Sequence, residues 1–234
     1  MKIYNPFQIL TRFERALWLG SVLTVLVSFL IKPSMGWLSL VASLIGVTAL
    51  IFTARGEVIG QILIVVFAIL YGIISWQQKY YGEMLTYLGM SAPIAIMAVI
   101  SWIRHPYRGG KHVEVEVNRL KWGEFLFLCL LTAGVTAAFY FILEALGTAQ
   151  LFFSTISVTT SFFAAYLTFR RSPFYALSYA ANDVVLIVLW VLASMQDPSG
   201  IAMVLCFVMF LINDLYGFFN WLRMQKRQEN KKIS

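Results

Sequence analysis

The sequence predicts an all-α polytopic membrane protein of eight transmembrane helices, arranged as one extra N-terminal helix followed by a 3+1+3 core of parallel repeats. Three observations carry this prediction. Of 234 residues, 60% are hydrophobic and only 12% charged, with a mean hydropathy of +0.77, whereas soluble domains carry about 25% charged residues. The 18 basic and 11 acidic residues are clustered, which leaves long uncharged stretches. Boundary residues also recur at a nearly constant spacing. A soluble enzyme, a disordered chain and a disulfide scaffold are excluded on composition. Cys129 and Cys206 each sit in an apolar run and read as small buried hydrophobes. The net charge of +7 records loop orientation in a membrane protein rather than affinity for nucleic acid.

A spanning helix needs about 20 mostly apolar residues. Charges, prolines and glycines divide the chain into spans at 16–31, 35–54, 58–77, 83–103, 122–146, 150–169, 173–195 and 200–222. The first is short and flanked by Arg12, Glu14 and Arg15. Its length suits a signal peptide's apolar core, but Lys32, Pro33 and Ser34 follow it where a small-residue cleavage site would stand. It is read as a helix. Eight spans put both termini on one side, together with 16 of the 18 Lys and Arg; Lys32 and Lys79 fall on the other. Both ends are therefore expected in the cytoplasm. Trp18, Trp102, Trp122 and Trp221 fall near cytoplasmic ends, Trp37 and Trp76 near outer ends, and Trp190 in the outer half of its span. That distribution is an interfacial belt pattern.

The organisation that follows is an N-terminal tail and extra helix (1–34), a first three-helix repeat (35–103), a cytoplasmic loop (104–121), a linker helix (122–147), a second three-helix repeat (148–223) and a basic tail (224–234). Within the loop, residues 112–118 alternate Val with Glu or Asn, which suits a short strand or an extended surface segment. His105 and His112 read as solvated loop histidines, because so short a loop offers few partners for catalysis or a metal.

The repeat rests on landmarks. Thr53 and Arg55 end the second span, Trp76 the third, and Trp102, Ile103 and Arg104 the fourth; Thr168 and Arg170 end the sixth, Trp190 lies late in the seventh, and Trp221, Leu222 and Arg223 end the eighth. The offsets are 115, 114 and 119 residues. Two three-helix units joined directly would face opposite ways, since three is odd, and the fifth span restores a common orientation. Parallel repeats about an axis along the membrane normal are a transporter arrangement, as in the sugar carriers called SWEETs, with substrate held near the midplane between them.

Polar groups inside a span are costly and mark candidate sites. Tyr175, Tyr179, Asn182, Asp183 and Trp190 fall within about a third of the circumference of the seventh helix. In the eighth, Asn213, Tyr216 and Asn220 share a face with Gly217, and Asp214 lies toward its edge. Amides with aromatic faces suit a flat, hydrogen-bonding ligand; the same groups also serve as hydrogen bonds between helices. Asp183 and Asp214 suit a proton-coupled carrier, a site for a cation, or carboxyls held by neighbouring hydroxyls and amides. No Lys, Arg or His within a span completes a proton relay. In the sixth span Ser154, Thr155, Ser157, Thr159, Thr160 and Ser161 permit close packing, and Ser154, Ser157 and Ser161 share a face able to line a cavity. Pro93 predicts a kink in the fourth span, with Thr86 and Tyr87 as its polar candidates. An embedded enzyme would need a clustered acid, base, metal or nucleophile set. The spans hold no histidine, no ligand-spaced His/Glu motif and no Gly-rich phosphate loop, so no metal or cofactor is expected.

The segments 81–104 (YGEMLTYLGMSAPIAIMAVISWIR), 172–193 (SPFYALSYAANDVVLIVLWVLA) and 211–223 (LINDLYGFFNWLR), with the sixth span, resemble the nicotinamide riboside transporters of the PnuC family over about residues 35–223. The resemblance implies a bacterial inner-membrane facilitator, without energy coupling, whose substrate is trapped through phosphorylation by a cytosolic kinase. Family sites use Trp, Asn and Gln. Where some members have Trp-x-x-Trp before an Asn in the seventh span, this chain has Tyr175 and Ser178 before Asn182; where a Gln is typical in the fourth, it has Tyr87. Relatives carry thiamine, riboflavin or deoxynucleosides, so the implied substrate is nicotinamide riboside or a related nucleoside or vitamin. The residues expected to bind it are Tyr87, as gate or wall, Tyr175, Tyr179, Asn182, Asp183, Trp190, Asn213, Asp214 and Tyr216. Its other partner is the lipid bilayer, and a homo-oligomer is compatible with such a chain.

Overall fold

Thr11 starts the first helix. Its Oγ1 accepts from the Glu14 amide at 3.3 Å while Glu14 Oε2 accepts from the Thr11 amide at 2.6 Å, a reciprocal capping box. Helix α1 (Arg12–Ile31) therefore begins four residues before the apolar run does. The computed structural model describes residues 6–31, 36–77, 84–107, 114–148, 150–195 and 201–233. Among these are eight helices long and apolar enough to cross a membrane, and the chain is a multi-pass membrane protein. Lys32, Lys79, Glu83 and His112 lie outside the described residues.

Helices α2 (Gly36–Ala54) and α3 (Val58–Gln77) follow the predicted spans closely. The fourth span opens as a π-helical turn, Thr86–Ser91, which leads into α4 (Ala92–Arg104). The Ala92 amide donates to Tyr87 O, five residues back. An α turn would press the Pro93 ring onto the carbonyl four residues earlier, and the wider turn relieves that clash. Helices α5 (Trp122–Ala145), α6 (Leu151–Phe169) and α7 (Phe174–Ser194) again match their spans. Helix α8 (Ile201–Ile233) has 33 residues and carries the basic tail on as helix, about 50 Å in all at 1.5 Å per residue.

Within each triple, α2–α3–α4 and α6–α7–α8, successive helices pack together; α2 also lies on α8, α4 on α6, α5 on α6, and α1 on α2 and α8. The starts of α1 and α3, the ends of α2, α4 and α6, and the last turns of α8 share one end, here the near end. The other is the far end.

At the near end the two triples hold each other through exchanged contacts. Trp102 Nε1 donates to Thr168 O and Trp221 Nε1 to Thr53 O, both at 2.9 Å. One residue along, Ser101 Oγ donates to Phe169 O at 2.9 Å and Asn220 Nδ2 to Ala54 O at 2.8 Å. The acceptors are last-turn carbonyls of α2 and α6, which lack partners within their own helices. The two indoles pack on each other with centroids 5.4 Å apart, and both are 0% exposed. The belt reading thus fails for this pair, which lies between the triples, whereas Trp37, Trp76 and Trp122 are exposed.

Beyond each carbonyl the chain turns through a left-handed residue, Gly56 (φ 71°) and Arg171 (φ 58°). The loop bridges these turns. Strand β1 (Pro106–Tyr107) pairs antiparallel with β2 (Glu114–Val115); Val115 N donates to Gly56 O and Asn118 N to Arg171 O, each at 3.0 Å. From the α8 extension, Gln228 accepts from Val117 N at 2.9 Å and donates to Val115 O at 3.0 Å, while Arg227 pairs with Glu114. Arg171 donates to Ser101 Oγ at 2.8 Å and Glu116 O at 3.1 Å. Burial, with Arg170 alongside, lowers its pKa from the usual guanidinium value. His105 is exposed but not free: its Nδ1 lies 2.8 Å from both Ser101 O and Arg171 Nη1.

Where α3 leaves the first turn, Gly60 lies against α2. A Cβ there would fall on the backbone N and Oγ1 of Thr53 and 2.9 Å from the Phe52 carbonyl carbon. Gly60→Ala is expected to wedge α2 from α3 at a cost of about 3 kcal/mol, read as a lower Tm of the purified protein; an unchanged Tm would show that the turn yields freely.

Candidate functional site

A cavity of about 500 Å³ lies between the triples, within the range usual for small-molecule sites. Thr53, Thr168 and Tyr175 form its floor, directly above the paired indoles, and its lining reaches Gly147 and Gln150 in the α5–α6 connection. It therefore extends to the far end and is closed at the near end. The floor is tied to the closure: Tyr175 OH donates to Thr53 O at 3.3 Å, the carbonyl that Trp221 also uses.

Three walls rise from this floor. The first is aromatic, from α3 and the π turn: Tyr71 and Tyr87 have centroids 4.4 Å apart, and Phe67 lies 5.7 Å from Tyr71 and 6.1 Å from Tyr87. The π turn aims Tyr87 here, by adding a residue to the turn where the helix meets Pro93. The second wall is polar. Ser157 Oγ donates to Asn182 Oδ1 at 3.0 Å, and Thr160 Oγ1 lies 2.9 Å from the same oxygen. With its oxygen taken, the Asn182 amide has its N–H groups to offer a ligand carbonyl or hydroxyl. The third wall is acidic: Asp183 of α7 and Asp214 of α8 both line the cavity.

Seven of the nine residues expected from the sequence meet here: Tyr87, Tyr175, Tyr179, Asn182, Asp183, Trp190 and Asp214. Ser154, Ser157 and Ser161 also line the cavity, as does Thr86. Asn213 and Tyr216 do not. Asn213 Nδ2 donates to Ser21 Oγ of α1 at 2.9 Å and to Met209 O at 2.7 Å. Tyr216 OH donates to Glu14 Oε1 at 2.6 Å. Glu14, 0% exposed, also lies 3.5 Å from Arg55 Nη1; a carboxylate so buried requires partners of this kind. The reason is angular. Asn213 and Asp214 are neighbours about 100° apart on one helix, so when Asp214 faces the cavity, Asn213 and Tyr216 face α1.

Sequence reasoning missed Gln61, Phe67, Tyr71 and Phe210 of the lining. Gln61 carried a signal, as the lone amide in the interior of its span; its Nε2 donates to Thr53 Oγ1 at 3.2 Å. The other three read as ordinary apolar positions.

Residues 36–223 match the family described as "Nicotinamide mononucleotide transporter". The chain is 26% identical over 225 residues to the nicotinamide riboside transporter PnuC of Neisseria mucosa, covering 94% of this chain and 85% of that protein. It is 22% identical over 226 residues to the Haemophilus influenzae protein of the same name, covering 96% and 93%. A crystal structure of the vitamin B3 transporter PnuC shares the fold with a TM-score of 0.81 at 25% identity, over 94% of each chain. With α2 to α7 and α8 as far as Arg223 inside one family match, this chain belongs to the nicotinamide mononucleotide transporter family, whose members are membrane transporters and not enzymes.

Proposed function

We propose that the chain carries nicotinamide riboside across a bacterial inner membrane by facilitated diffusion, with both termini in the cytoplasm and a cytosolic kinase trapping the substrate by phosphorylation. The observation that carries this reading is the cavity itself, which reaches the far end and is closed at the near end, with ring-stacking and amide-bonding walls of suitable size. The names of the Neisseria and Haemophilus relatives support the substrate. The lining also favours the riboside over its phosphate ester. Among the described residues it holds no Lys, Arg or His, and its charged side chains are Asp183 and Asp214. A phosphate would meet carboxyls and no cation.

Release at the near end requires the Trp102–Trp221 contact to part as the far end closes. In this reading the two triples are parallel repeats that rock against each other, supported by the exchanged contacts of Trp102 with Thr168 and Trp221 with Thr53. No nucleophile, metal or coupled ion is needed for downhill flux. The test is uptake of labelled nicotinamide riboside into proteoliposomes without an imposed gradient, with thiamine, riboflavin, thymidine and uridine as competitors. Saturable uptake that stops at equal concentrations, blocked by unlabelled nicotinamide riboside alone, is the expected result. Accumulation driven by a pH gradient would overturn facilitation, and uptake of a competitor in its place would overturn the substrate.

A further inference from the structure

The acidic wall is unexplained by a neutral nucleoside. Asp183 is 3% exposed and Asp214 5%, and neither has a Lys, Arg or His among the described lining residues. Among the described residues, Asp183 Oδ2 is buried without a hydrogen-bond partner. A buried carboxyl oxygen without a partner is costly inside a membrane protein. The same face of α7 carries aromatic rings on either side of the carboxyl. Tyr179 precedes Asp183 by one turn and Trp190 follows it by two, so rings flank the carboxyl along the helix axis by about 6 Å and 10 Å at 1.5 Å per residue. Trp190 Nε1 is likewise buried without a partner, a donor with no acceptor among the described residues. Across the cavity stand Phe67, Tyr71 and Tyr87.

A planar cationic ring answers each of these features. Its charge compensates the carboxyl pair, its faces stack on the aromatic side chains with a cation–π component, and an attached carbonyl or hydroxyl accepts from Trp190 Nε1. We propose that Asp183 and Asp214 are specificity-determining residues that select a permanently cationic heteroaromatic ring over a neutral ring of the same shape. This rests on the reading of the cavity as a nicotinamide riboside site and deepens it: nicotinamide riboside carries a quaternary pyridinium nitrogen, and its 1,4-dihydro form does not. A neutral ring would leave Asp183 Oδ2 buried and unpaired in the complex. Selection of this kind works by penalising the wrong ligand as much as by attracting the right one.

The test is isothermal titration of the full-length protein in detergent with nicotinamide riboside and with its 1,4-dihydro form, for wild type, Asp183→Asn and Asp214→Asn. Gel filtration and Tm check that each variant is folded. Wild type is expected to bind the cation at least tenfold more tightly than the neutral form, and each Asn variant to bring that ratio toward one. Wild-type affinities within twofold of each other would overturn the proposal without help from any variant, and so would a ratio that survives in both folded variants. Should wild type bind neither form, the substrate reading fails separately. The charge proposal is then decided by thiamine, a cation, against riboflavin and uridine, which are neutral. Thiamine binding that is lost in the Asn variants sustains it. Binding of the neutral compounds alone, or of none of them, overturns it.

Discussion

Asn182→Ala is expected to weaken binding of nicotinamide riboside by about thirtyfold or more, equivalent to about 2 kcal/mol. The amide is the polar centre of the cavity's α7 face. Ser157 and Thr160 hold its oxygen, so the orientation of its N–H groups is fixed before a ligand arrives and no ordering cost falls on binding. Truncation removes these donors and leaves the Ser157 hydroxyl facing an empty space. The matched control is Asn213→Ala. Its amide ties α8 to α1 through Ser21, outside the cavity lining, so its loss is expected to lower Tm through a bond worth about 1 kcal/mol while leaving affinity within about threefold. The pair is read by titration calorimetry and thermal denaturation on the same preparations. Loss of binding in Asn213→Ala with retention in Asn182→Ala would place the site on the α1 side of α8.

Much of this site was legible because helical periodicity is a strong constraint where one helix face is polar inside lipid. On α7, Tyr175, Tyr179, Asn182, Asp183 and Trp190 were expected on one face, and all five line the cavity. On α8 the same periodicity gives a face but not which edge of it meets the cavity, and Asp214 is the edge that does. Asn213, Tyr216 and Asn220 do share a face, but the partners of the first two lie on α1. Periodicity reports which residues point the same way and not what they point at. The missing information was the burial of Glu14, whose need for hydrogen-bond donors draws Tyr216 over. A trace of it was present in the Thr-x-x-Glu sequence at Thr11, a capping box that also explains why α1 starts before its apolar run. Trp102 and Trp221 show the complementary error. Position along the chain places them near helix ends, but only tertiary packing decides whether a tryptophan there turns to lipid or to protein. The spacing of the landmark residues held the clue. Trp102 and Thr168, like Trp221 and Thr53, belong to opposite triples, and each indole finds its acceptor across the boundary.

Trp102→Ala and Trp221→Ala are each expected to open the near end, and Trp102→Phe and Trp221→Phe to do so to a smaller degree. Each indole is 0% exposed, and truncating a tryptophan so buried costs about 3–5 kcal/mol. That cost falls on the closed arrangement: once the triples part, neither the 5.4 Å ring contact nor the exchanged carbonyl bonds exist to be lost. The equilibrium therefore shifts toward near-end opening rather than toward unfolding alone. Phenylalanine keeps most of the ring and removes the N–H, so it isolates the hydrogen bond, worth about 1 kcal/mol or roughly a fivefold change in the ratio of closed to open protein. A cysteine at Thr168, on the cavity floor, reports the opening in a background free of Cys129 and Cys206. A membrane-impermeant maleimide applied from the near side should label it slowly in the otherwise wild-type protein and faster in each Trp variant. Because the two contacts match in donor, acceptor and distance, the Trp102 and Trp221 variants should accelerate labelling to similar extents. Acceleration by one and not the other would mean that the triples separate at a single hinge. No acceleration by either would place the near-end barrier in the loop segment spanning Gly56 and Arg171, held there by Gln228.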